Sequence, residues 1–295
     1  MGRVTTRMPV RRIRIHGDAT RPDTLAVEEP LEIRIAGAPL TMTMRTPGAD
    51  VDLVHGFLLS EGLIGGAEDI DTIRYCDGVD ADGQNTYNVL DVASAPGVIL
   101  TAPRRAFTTT SACGVCGKSS IDELRATSRF DLRDDASTVD TDVLIALPDR
   151  LRAEQKTFAG TGGTHGAALF STDGTLLVVR EDVGRHNAVD KVIGWAVREG
   201  RIPLRDTVLM VSSRVSFELV QKAVMAGIPI LAAVSAPSSL AASLGDETGL
   251  TVIGFLRGES MNIYSAPNRV VGHPAGSSNP SVLDRGDRHV TEDVG

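Results

Sequence analysis

The chain has 295 residues, with 30 basic and 38 acidic side chains and a net charge of −8 at neutral pH. That length supports a sizeable core and one or two domains, while the negative balance argues against general nucleic-acid binding, which needs excess positive charge to neutralise phosphates. Three cysteines are too few for a disulfide scaffold and fit a reducing compartment; with no apolar run near the roughly 20 residues of a spanning helix and no apolar stretch of a secretory signal, the sequence reads as soluble, cytoplasmic and free of the membrane.

In chain order, residues 1–10 read as loose. Residues 11–16 and 24–45 read as strands, with alternation at Leu31-Glu32-Ile33-Arg34-Ile35 and a hairpin break at Gly37-Ala38-Pro39. Asp50 is placed as the cap of a helix ending near Leu59. Residues 73–77 and 86–92 read as strands. Together, residues 1–106 are expected to form a small α+β domain. Residues 107–140 hold a cysteine loop and a short connecting helix opened by the capping-box pattern Ser120-Ile121-Asp122-Glu123; 131–138 read as a turn.

Residues 143–158 read as one helix. From Gly160 the pattern alternates: strands at 167–170, 176–180, 207–212, 228–234 and 250–256, and helices at 187–197, 217–226 and 238–244. The pace predicts helices on a largely parallel sheet, an α/β domain over 141–266. Residues 267–295 lose periodicity and are expected to be a disordered tail.

The chemistry concentrates in Thr110-Ser111-Ala112-Cys113-Gly114-Val115-Cys116-Gly117-Lys118. Structural zinc wants four ligands, and Cys113 and Cys116 supply two with no second pair, so no structural metal is expected. A dithiol redox pair and a persulfide carrier both remain open on local chemistry. A carrier needs a mobile thiol of lowered pKa. The flanking glycines provide mobility; Lys118 and the helix start beyond it provide positive charge.

Other motifs fall at strand ends. Gly160-Thr161-Gly162-Gly163-Thr164-His165-Gly166 lacks the ending of a P-loop and reads as a tight turn. Arg180-Glu181-Asp182-Val183-Gly184-Arg185-His186-Asn187, Ser212-Ser213-Arg214 and Ser235-Ala236-Pro237-Ser238-Ser239 each follow a strand, where open α/β sheets bind ligands. Arginine and small hydroxyls suit a phosphate-bearing ligand. Phe255, Leu256, Arg257, Gly258, Glu259 and Ser260 close the last expected strand, with Phe255 able to stack on a base and Arg257 able to hold a phosphate.

These motifs together, joined by Glu181-Asp182-Val183-Gly184-Arg185-His186-Asn187-Ala188-Val189-Asp190-Lys191 and Gly254-Phe255-Leu256-Arg257-Gly258-Glu259-Ser260-Met261-Asn262-Ile263-Tyr264, resemble the formate dehydrogenase accessory sulfurtransferase family, FdhD. The resemblance implies a sulfurtransferase that takes sulfur from a cysteine desulfurase as a persulfide. It would deliver that sulfur to the bis-molybdopterin guanine dinucleotide cofactor, which then enters formate dehydrogenase. It implies the persulfide role for Cys113 with Cys116 assisting, cofactor contacts at Phe255, Leu256, Arg257, Gly258, Glu259 and Ser260, and a homodimer. It also implies an α/β fold in which the C-terminal domain is cytidine-deaminase-like. Zinc deaminases carry His-x-Glu and Pro-Cys-x-x-Cys. Here the matching segments are His186-Asn187-Ala188 and Pro237-Ser238-Ser239-Leu240-Ala241, without the glutamate or either cysteine. Deamination is therefore not expected, whereas the crevice can remain as a nucleotide site. The alternative function is a nucleotide-cofactor-binding chaperone without sulfur chemistry.

Overall fold

The computed structural model describes residues 3–76, 78, 86–100 and 128–272. Cys113, Cys116, the helix expected after Ser120 and residues 273–295 lie outside the described residues.

The chain opens with a two-stranded hairpin, β1 (Thr5–Arg14) and β2 (Gly17–Ala26), paired over its full length. Residues 5–10, expected to be loose, are therefore strand. The periodicity that would have revealed them is missing because both faces of the hairpin are largely exposed, and the main-chain ladder is its chief order.

The expected hairpin at Gly37 is present. β3 (Glu29–Ile35) pairs antiparallel with β4 (Ala38–Arg45), and β5 (Ile70–Tyr75) and β6 (Val89–Ser94) complete a sheet of order β4-β3-β6-β5. Leu31, Ile33, Leu90 and Val92 alternate onto one face and are fully or almost fully buried. Helix α1 (Asp50–Ser60) follows β4. Asp50 does not cap it: Ala49, in left-handed conformation, precedes the helix and makes no side-chain cap. The Asp50 carboxylate instead accepts from the buried Arg45 guanidinium at 3.0 and 3.1 Å and from the Tyr75 hydroxyl at 3.0 Å.

The second sheet has six strands in the order β13-β12-β11-β10-β8-β9. They are β8 (His165–Ser171), β9 (Leu176–Asp182), β10 (Thr207–Val211), β11 (Ile230–Ala233), β12 (Thr251–Arg257) and β13 (Ser260–Ser265). Only β10–β11 and β11–β12 pair in parallel, which corrects the expected largely parallel sheet. Two hairpins account for the difference. Asp173-Gly174 turns β8 back as β9, with Gly174 at φ +87°, and Gly258 at φ +56° turns β12 back as the unexpected strand β13. As a result β9, β10, β11 and β12 run one way while β8 and β13 run the other.

Each central strand is buried on both faces, so its residues divide by parity. Leu169, Leu209, Val211 and Leu231 join one core; Phe170, Val208, Met210 and Ile230 join the other. The second core is covered by α2 (Thr141–Glu154), through Leu144, Leu147 and Leu151. Asp140 caps α2 by accepting from the Asp142 amide at 2.8 Å. The helix expected over 143–158 stops at Gln155 and restarts as the short α3 (Lys156–Thr161). The first core is covered by α4 (Arg185–Arg198), α5 (Phe217–Met225) and α6 (Ser239–Thr248) and runs without a break into α1 and the four-stranded sheet.

The end of the described chain also differs from expectation. Val270 and Val271 form β14 and pair with β7 (Val139–Asp140). Arg269, only 2% exposed, donates to the Gly249 carbonyl at 2.6 Å. Residues 267–272 therefore belong to the fold.

Candidate functional site

The running directions set the site. The carboxyl ends of β9, β10, β11 and β12 and the amino end of β8 all fall on one edge of the six-stranded sheet, so the polar strand-end motifs gather there. Their fates divide sharply.

The motif after β9 is consumed by the fold. Arg180 donates to Asp52 on α1 at 2.8 Å. Asp182, fully buried, accepts from Lys191 Nζ at 2.7 Å, the Gly184 amide at 2.8 Å and the Thr46 amide at 3.1 Å. Asn187 donates to the Met44 carbonyl at 2.7 Å. These residues, read from sequence as ligand contacts, clamp the second sheet to β4 and α1. Glu181 acts at longer range: its carboxylate accepts from the Thr157 and Phe158 amides at 2.7 and 2.8 Å and from the Thr164 hydroxyl at 2.8 Å. It thereby holds the start of α3 and the glycine-rich turn in one geometry.

Beside this clamp lies a cleft of about 550 Å³, of the size that takes a small ligand. Its floor holds Ser212, whose hydroxyl accepts from the Gly166 amide at 2.9 Å, and Val234 at the end of β11. It is also lined by the 162–165 segment, including His165, by Arg152, Gln155 and Phe158 along α2, the break after it and α3, and by Arg257 and Gly258 at the β12–β13 turn. The glycine-rich segment, read as a turn in preference to a phosphate cradle, also lines the cleft. Burial and the neighbouring Arg185 charge both push the His165 pKa down, which keeps the imidazole neutral at pH 7.

Of the expected cofactor contacts, Arg257 and Gly258 line the cleft. The Arg257 guanidinium lies 5.7 Å from the Phe255 ring centre, and Phe255 holds a left-handed φ of +52° rare for a non-glycine residue. Glu259 and Ser260 sit exposed on the turn. Leu256 is corrected: its side chain is fully buried in the core against α2 and cannot face a ligand. The ladder is irregular between Gly254 and Arg257, and this turns Leu256 inward while Phe255 is half-buried and Arg257 exposed. Arg152, Gln155 and Phe158 were missed because they lie in a stretch that reads as uninterrupted helix.

A larger depression of about 660 Å³ opens at β9. Of its cations, Arg180 and Lys191 are paired with Asp52 and Asp182, which leaves Lys156; the smaller cleft is taken as the ligand site because Ser212, the glycine-rich segment and Arg257 meet there.

Comparison with known proteins agrees with this architecture. Residues 26–271 match the model of the FdhD/NarQ family. A protein of Nocardia farcinica named sulfur carrier protein FdhD is 61% identical over 276 residues, covering 94% of this chain and 98% of its own. The protein of that name from Streptomyces avermitilis is 58% identical, covering 92% and 97%. A crystal structure from Desulfotalea psychrophila, described as a candidate formate dehydrogenase accessory protein, superposes with a TM-score of 0.69 at 23% identity. It covers 91% of this chain and all of its own, and so shares the fold. The chain belongs to the FdhD/NarQ family.

Proposed function

We propose that this protein is a cytoplasmic sulfur carrier that serves formate dehydrogenase. The observation that carries the reading is the match, along nearly the whole chain, to relatives named sulfur carrier protein FdhD, in a sequence that holds the Cys113-x-x-Cys116 pair. In the proposed reaction the Cys113 thiolate attacks the outer sulfur of a cysteine desulfurase persulfide. A Cys113 persulfide forms, and the desulfurase thiolate leaves. Cys116 assists release by attacking the inner sulfur: a Cys113–Cys116 disulfide forms, the persulfide S–S bond breaks, hydrosulfide leaves to the acceptor, and an external thiol reduces the disulfide for the next cycle. The acceptor is the bis-molybdopterin guanine dinucleotide cofactor, which arrives as substrate.

The cleft fits the nucleotide end of that acceptor. Arg257 supplies an uncommitted guanidinium for a phosphate, the Gly258 turn lets a backbone approach closely, and Arg152 stacked 4.0 Å over Phe158 presents a flat platform. We assign the six-stranded unit to a deaminase-like crevice that has kept nucleotide binding and lost hydrolysis, since Ala188 stands where the general acid would be. The active form is taken to be a homodimer.

The test is intact mass after incubation with a desulfurase and cysteine. The protein gains one sulfur atom, and Cys113→Ala does not. A Cys113→Ala protein that still activates formate dehydrogenase at the normal rate would sink sulfur carriage and favour a cofactor-binding chaperone, for which Arg257→Ala alone is damaging.

A further inference from the structure

The hairpin of β1 and β2 is anchored only at its base. There β2 packs on α3, and the Val27 amide donates to the Val4 carbonyl at 2.9 Å. From Arg11 through Pro22 every residue is exposed. A two-stranded ribbon left to itself in water is marginally stable at best, so an arm held out this way calls for a surface to lie on.

The pairing register sorts its side chains onto two faces. On one, the Arg11 Nε donates to Asp18 at 2.6 Å, so that charge is spent. The other carries Met8, Val10 and Leu25 toward the base and Arg12, Arg14 and Arg21 toward the tip. Met8 is 50% and Leu25 37% exposed, and the three arginines have no carboxylate partner among the described residues. Asp23 is the one acid on this face, and its carboxylate accepts from the Thr24 amide at 3.0 Å. Residues 5–26 hold five arginines against two aspartates, a net of +3; the whole chain carries −8, which leaves −11 on the remainder.

We propose that this apolar and basic face is a dimer contact, each arm lying on the acidic body of a second copy of the chain. The proposal rests on the homodimer reading given above and names the surface that makes it. The charge complement is supplied by the same sequence, and a two-fold exchange leaves neither arm uncovered. The area suffices: a ribbon of this length is about 33 Å long and about 10 Å across, and two such arms, each covering a body, bury about 1,300 Å² in all, within the range of a stable interface.

Sedimentation velocity of the full-length protein over a concentration series tests the assignment. Wild type sediments as a dimer, and raising the salt to about 0.5 M weakens it severalfold, since the arm charges are exposed. The triple variant Arg12→Glu, Arg14→Glu, Arg21→Glu raises the dimer Kd at least about tenfold and keeps the wild-type melting temperature, while Arg7→Glu on the opposite face leaves the dimer intact. The triple glutamine variant at the same positions repeats the measurement if charge reversal disturbs the ribbon. A dimer indifferent to both triple variants overturns the role of the arm and leaves the homodimer standing; a wild type that is monomeric at every concentration overturns both. A monomeric wild type retained on heparin, with retention lost in the triple variant, overturns them equally and gives the arm to a polyanion. Sulfur loading of Cys113 is read separately by mass and is untouched by any of these results.

Discussion

The seam between α1 and α4 and the cleft beside α3 are both rich in polar residues, but they are built on opposite principles. At the seam the buried aspartates are answered. Asp52 receives Arg180 and Arg198 at 2.8 and 2.6 Å, Asp182 receives Lys191 at 2.7 Å, and Asp190 receives Lys222 and Ser60 at 2.8 and 3.0 Å. Burial pushes the Asp190 carboxyl up, and Lys222 opposes that shift. Two glycines permit this closeness: a Cβ on Gly56 would lie 1.9 Å from the Asp190 carbonyl, and one on Gly194 1.7 Å from that of Asp52. At the cleft, by contrast, Arg257 has no carboxylate partner among the described residues and meets only the Phe255 ring.

The largest effect should come from breaking the seam. Lys191→Met strands a fully buried carboxylate and should cost about 3 to 5 kcal/mol, read as a lowered denaturant midpoint. A loss below about 1 kcal/mol would show that Asp182 is not held by charge. Gly194→Ala forces the helices apart and should cost about 3 kcal/mol. Thermal melting reads that loss, with the exposed Ser243→Ala on α6 as the reference substitution. Gly200→Ala would be a poor reference, because Gly200 sits at φ +63° and an alanine there carries its own strain. Equal melting of the Gly194 and Ser243 variants would show that α1 and α4 can part freely.

Arg257→Ala probes the other side of the comparison. It should lower GDP affinity about tenfold, as one charge-assisted hydrogen bond removed, while stability stays within about 0.5 kcal/mol. A large stability loss would place Arg257 with the scaffold.

The smallest effect concerns acid. His186 beside Glu218, with Ser216, holds the Glu218 carboxyl at about 2 against its ordinary 4.5. The unfolded chain binds that proton first as pH falls, so the stabilisation is complete above about pH 4.5 and disappears toward pH 2. Glu218→Gln should flatten this part of the acid limb slightly, since the side chain is half exposed. Identical limbs would remove Glu218 from the account.

Much of the fold was legible. The apolar runs of β10 and β11 announced two-sided burial, and Gly37 announced its hairpin. Strand β13 escaped because Ser260 to Ser265 is mostly exposed and carries little apolar alternation, although Asp173-Gly174 was a usable hairpin signal for β8 and β9. At the site, Arg257 and Gly258 were legible from their position after a strand. Gln155 was not, since a glutamine inside an apparent helix carries no mark of its surroundings.

The sequence by itself determined the family, the strands β8 to β12 with the helices between them and the presence of a paired-cysteine motif, because those depend on local periodicity and residue spacing. Only the tertiary structure decided which polar residues are spent. The Glu181 to Lys191 motif offers several ligand-ready groups on paper, but Asp182, Arg180 and Asn187 face partners more than a hundred residues away. Whether a buried polar group is answered or left waiting depends on those distant partners, and hydrogen bonds over such separations leave no trace in the neighbouring residues.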